Sequence, residues 1–176
     1  MARVALALPD ASPDGLEMAR RGFESYLFAV GLWGPGFVVA MPSRGVDEVW
    51  HQAILHSRFY ARICQERAGF FVHHDPGPIG KALLTPSQAA DELGALARAW
   101  VGACRFEGLS PADPLSLPAL FACDRLLGLA EGFRYSTDEA GSTVPLERLA
   151  RRAAELPEPE GRGVGASKKK GPLGRP

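Results

Sequence analysis

Thr85-Pro86-Ser87-Gln88-Ala89-Ala90-Asp91-Glu92-Leu93-Gly94-Ala95-Leu96-Ala97-Arg98-Ala99-Trp100-Val101-Gly102-Ala103-Cys104 is the stretch that decides the fold class. Thr85 and Gln88 form a capping box, and Pro86 occupies the first helical position, where its missing N–H costs nothing. Ala89, Leu93, Leu96, Ala97, Trp100 and Cys104 then recur at helical spacing. Gly108 is placed to stop this helix. On either side the same grammar returns. Ser12-Pro13-Asp14 reads as an N-cap, followed by Leu16, Ala19, Phe23, Leu27 and Val30 on one face, with Gly31 to Gly36 ending the run. Pro42-Ser43-Arg44-Gly45 precedes a second helix over about Val46 to Arg67, with Asp47 and Glu48 where the helix dipole favours negative charge. Ser116-Leu117-Pro118 starts a helix carrying Leu120, Phe121, Leu126 and Leu127. The last helix runs from Pro145 to Leu156, capped by Thr143, with Leu146, Leu149 and Ala153 inward. Few segments read as strands. Phe37 to Met41 and Phe70 to His74 are too short for periodicity to separate strand from buried loop. The expected fold is mostly α: one irregular domain of about five helices over residues 1–156, then a disordered tail over 157–176 rich in Pro, Gly and Lys.

The length of 176 residues suits one domain with a sizeable core. Lys+Arg and Asp+Glu are 20 each, so the formal net charge is zero. That balance argues against a chain built around a general nucleic-acid or anionic-membrane field. The exception is the short basic tail, Lys168-Lys169-Lys170 with Arg162 and Arg175, read mainly as solubilising. Cys64, Cys104 and Cys123 are odd in number, widely spaced and free of any CxxC pair, which fits reduced thiols in the cytoplasm. Met1 to Leu8 is too short an apolar run for a secretion signal. Tyr26 to Pro42 is broken by glycines and a proline, so no membrane span is expected.

The chemistry concentrates in one window. All four histidines of the chain, His51, His56, His73 and His74, fall within 24 residues. Asp47 and His51 are i and i+4, hence neighbours on one helix face. That face lies opposite the stripe of Val46, Val49, Ala53, Tyr60 and Cys64. Carboxylate and imidazole so placed could ligate one metal, or Asp47 could orient His51 from outside the ligand sphere. His56 lies 140° round the wheel at about 100° per residue and reads as a partly buried histidine beside the core. His73 and His74, if extended, point to opposite sides, so only one would reach the Asp47/His51 face. Asp75-Pro76-Gly77-Pro78 closes the window with a turn.

The segment Val46-Asp47-Glu48-Val49-Trp50-His51-Gln52-Ala53-Ile54-Leu55, with Tyr60, Cys64, Gly69 and Phe71 and then His73-His74-Asp75-Pro76, resembles the signature of the glycine-rich domain-containing protein-like family. The match is D-x-x-W-H, then Y-x-x-x-C, then H-H-D-P. Weaker similarity extends through Phe121-Ala122-Cys123-Asp124 to Gly132-Phe133-Arg134-Tyr135. The resemblance carries no defined reaction. It implies a set of positions: Asp47, His51, His73 and His74 as metal or acid–base residues, and Trp50, Tyr60 and Cys64 as structural members. The expectation is a mononuclear site, with Zn or Fe as candidate cofactor and the question of an enzyme left open. The alternative is a non-catalytic domain that binds a protein partner and uses the Trp-His and His-His motifs structurally.

Overall fold

The computed structural model describes residue 8, residues 10–74, 86–138 and 142–159, with backbone alone for 86–90. Six helices are present and no strand occurs among the described residues: α1 (Pro13–Trp33), α2 (Arg44–Ile54), α3 (Ser57–Arg67), α4 (Pro86–Glu107), α5 (Ala119–Leu126) and α6 (Leu146–Ala154). The chain is mostly α. The Thr85 cap, the turn at 75–78, residues 1–7 and the tail from 160 onward lie outside the described residues.

Helix α1 is the hub and packs on α2, α3, α4 and α5, while α4 also packs on α5 and α6. It begins as its sequence dictates, the Ser12 hydroxyl accepting from the Gly15 N–H at 3.1 Å. It ends inside the expected Gly31–Gly36 stretch, after Trp33. Gly31 lies inside the helix, and a Cβ there would sit 2.6 Å from the Ala68 Cα, so its role is close approach. The stop is Gly34, at φ +80°, whose N–H returns to the Val30 carbonyl. The α1–α4 crossing is tighter still: a Cβ on Gly102 would fall 2.2 Å from the Ala29 Cβ.

The expected single helix over 46–67 is two helices. His56 leaves helical geometry at φ −105°, ψ 64°, and its N–H bonds back to the Ala53 carbonyl three residues earlier. No glycine or proline marks the break. The cause is tertiary: α2 and α3 pack on each other and both on α1. A straight 22-residue rod, about 33 Å long, could not do that. His56 is consequently exposed at the head of α3, not partly buried.

Phe37 to Met41 and Phe70 to His74 each begin at a bend and form no strand pairing. The first is held by the Ala40 N–H on the Ala95 carbonyl and the Tyr26 hydroxyl on the Val39 carbonyl, both 3.1 Å. The start of α5 at Ala119 and the burial of Leu146 and Leu149 on α6 follow the sequence reading. Leu126 instead faces out. Thr143 does not cap α6. Its hydroxyl accepts from the Arg134 N–H at 2.9 Å. Trp100, Phe121 and Tyr135 stack edge-on through the centre at 5.2 and 4.9 Å. Cys64, Cys104 and Cys123 are buried free thiols. Burial pushes the Cys104 and Cys123 thiols up to about 12, so both stay protonated at neutral pH. No described helix is long and apolar enough to cross a membrane.

Candidate metal centre

The site is organised by the first turn of α2. Ser43 caps it, its hydroxyl oxygen accepting from the Val46 N–H at 3.1 Å. The same hydroxyl donates to Asp124 Oδ1 at 2.6 Å. Asp124, on α5, also accepts from the Arg44 and Gly45 N–H groups at 3.0 and 2.9 Å and from the Phe133 N–H at 2.8 Å. A carboxylate with 1% of its surface exposed therefore has four donors and the positive end of a helix. Asp124 is the residue that sequence reasoning missed. Three of its four donors come from residues 43–45, some 80 residues away, so no local pattern reveals its role.

With its start fixed, α2 divides its faces by sequence. Val46, Val49, Trp50 and Ala53 go inward; Asp47, Glu48 and His51 go outward. Beneath them a buried chain of contacts ties α2 to the segment after α3. The Trp50 indole N–H donates to the Tyr60 hydroxyl at 2.8 Å, and the Tyr60 hydroxyl donates to the Val72 carbonyl. Burial raises the Tyr60 pKa, which keeps this proton on the phenol. Tyr26 backs Trp50 with ring centroids 5.0 Å apart. Cys64 is fully buried.

Val72 is buried, and exposure alternates from Phe71 to His74, which places His74 on the same side two residues on. His74 lands on the edge of Trp50, ring centroids 4.4 Å apart, and beside His51 at 4.6 Å. Its Nε2 lies 3.5 Å from Asp47 Oδ1. His51 Nδ1 lies 3.9 Å from Asp47 Oδ2 and 3.9 Å from Glu48 Oε2. One ligand atom from each of Asp47, His51 and His74 falls within 4.8 Å of the other two. His73 points the other way, exposed and stacked on Phe71 at 5.0 Å. His56 and Cys64 are likewise outside the cluster.

The spacings have chemical meaning. Direct hydrogen bonds between these groups would measure about 2.7–3.2 Å. Separations of 3.5 and 3.9 Å are longer than that. Two atoms that each stand about 2.0–2.2 Å from a common centre are at most about 4.4 Å apart, and both separations fall within that reach. The side chains of His51, Asp47 and His74 are 44%, 37% and 18% exposed, so the face is open to solvent.

No curated protein and no solved structure shows significant similarity to the chain. A family model, described as UCP032817-like, matches residues 1–154, which include every residue of the cluster and Asp124. On that match, the chain belongs to the UCP032817-like family.

Proposed function

We propose that the protein binds one divalent transition-metal ion through Asp47, His51 and His74. The observation that carries this reading is the convergence of one carboxylate and two imidazoles within 4.8 Å, at spacings too long for direct hydrogen bonds. The pairing of two histidines with one carboxylate suits Zn(II) or Fe(II). Three protein ligands leave positions for water or substrate, so a bound ion would supply Lewis acidity if Zn(II) or redox chemistry if Fe(II). The chain's part is positioning. Trp50 holds the His74 ring, and Tyr60 anchors the backbone two residues before it. Glu48 offers a second carboxylate beside His51. The resemblance of this segment to the glycine-rich domain-containing protein-like signature supports a site at the same positions. Buried thiols support a cytoplasmic setting.

A second reading draws on the Trp50–Tyr60–Val72 network, which pins residues 70–74 without any ion. In it the motif is architectural and the domain binds a protein partner. Metal content by mass spectrometry decides between the two, on tag-free protein purified without oxygen or chelator. The metal reading expects near-stoichiometric metal in the wild type and in His73→Ala. It expects loss in His51→Ala and His74→Ala, with circular dichroism and melting temperature retained. Wild-type protein without metal, or full loading of His51→Ala, refutes it.

A further inference from the structure

The second cluster of convergent donors lies on α4 and α6, and both its members are arginines. Arg98 is fixed on one edge: its Nε donates to the Val38 carbonyl at 2.6 Å, and its guanidinium lies over the Phe37 ring at 5.7 Å. Arg152 is fixed on another: its NH1 donates to Glu155 at 3.1 Å. The donors left over meet beside Gly94. The position a Gly94 Cβ would take is 3.4 Å from Arg152 NH2, 3.9 Å from Arg152 Nε and 3.6 Å from Arg98 NH1. Two cations thus share the space that a missing side chain leaves open. Their mutual repulsion has a consequence: burial first, and then Arg152, lower the Arg98 pKa, with Asp91 opposing. Like charges brought together by folding cost stability unless an anion joins them.

The geometry points to an oxyanion site here, formed by Arg98 and Arg152 over Gly94, for a phosphate group. Guanidinium forks match the edges of a tetrahedral oxyanion, and each fork is already oriented by its other contacts. Asp91 and Glu155 are the carboxylates that compete for the same cations. They restrict the site to a strongly charged ligand such as a phosphate dianion. The inference stands independently of the metal reading, since it shares no residue with it.

The test is titration of the full chain with inorganic phosphate at constant ionic strength, followed by amide chemical shifts, with glycerol phosphate as a second probe. Saturable binding is expected, with the largest shifts around residue 94. Arg152→Gln should weaken it at least tenfold, and Gly94→Ala should weaken it by filling the space. Asp91→Asn should tighten it two- to threefold. His51→Ala should leave it unchanged. A preference for glycerol phosphate would identify the natural ligand as an ester, and no preference as the free ion; either supports the site. Absence of saturation overturns the proposal. So does unaltered binding in Arg152→Gln with a wild-type melting temperature, and so does loss of binding in His51→Ala.

Discussion

Replacing Asp124 removes the acceptor on which the head of α2 depends. Its two oxygens divide four donors evenly. Oδ1 takes the Ser43 hydroxyl and the Gly45 N–H, both buried; Oδ2 takes the Arg44 and Phe133 N–H groups, both partly buried. In Asp124→Ala the two partly buried donors can turn to water. The two buried ones cannot, and each orphaned buried donor costs about 1–3 kcal/mol. Loss of the negative charge at a helix N-terminus adds about 0.5–1 kcal/mol. The expected destabilisation is therefore about 2.5–7 kcal/mol, a large share of the roughly 5–15 kcal/mol that holds a domain together. Asp124→Asn is the sharper probe. Whichever way the amide turns, its NH2 faces two donors, so near-identical shape should recover little of the loss. Urea unfolding followed by circular dichroism at pH 7 measures both variants. An Asp124→Asn protein within about 0.5 kcal/mol of wild type, with an unchanged denaturant slope, would show that the carboxylate does not fix this helix.

Two other perturbations have definite signs. Tyr60→Phe orphans the Trp50 N–H and the Val72 carbonyl, costing about 1–3 kcal/mol each, and should weaken metal binding about tenfold by loosening His74; lowered stability with unchanged metal affinity, measured by competition with a chelating dye, would uncouple the two. The raised thiols make stability fall with alkali. Cys104 and Cys123 titrate near 12 in the folded chain but near 8.5–9 when unfolded, so the unfolded state binds fewer protons between those values. Stability should be intact below about pH 8.5 and decline by up to about 1.4 kcal/mol per pH unit per thiol above it, with Tyr26, Tyr60 and Tyr135 adding to the loss at higher pH; a flat urea midpoint from pH 8.5 to 10.5 would contradict the burial of these groups.

What could be read in advance divides along the range of the interactions. Helix existence was legible, since Ser12-Pro13 and the spaced apolar residues of α4 and α6 act within a few positions. The pairing of Asp47 with His51 was legible for the same reason. So was the rule that one of two adjacent histidines would face them, although an i+2 relation to Val72 was needed to select His74 over His73. The break at His56 was not legible, because it is imposed by packing on α1 rather than by any breaker residue. Which glycine of the 31–36 stretch stops α1 was not legible, because Gly31 serves close approach to Ala68 and Gly34 the stop. Asp124 and the Arg98–Arg152 pair were invisible because their members come from distant segments.

The Ser43–Asp124 bond spans 81 residues, and this carries a consequence for synthesis. At roughly 5–20 residues per second, a ribosome takes about 4–16 s to go from Ser43 to Asp124. Over the last 50 residues of that span Asp47, His51 and His74 are all made, while the helix that should present two of them still lacks its distant cap. The nascent N-terminal half would then hold its imidazoles in a loose, exchanging arrangement, able to sample ions but poorly fitted to retain one. On the proposed metal reading, retention would begin when α5 arrives, which would make metal capture a late event in the life of the new chain.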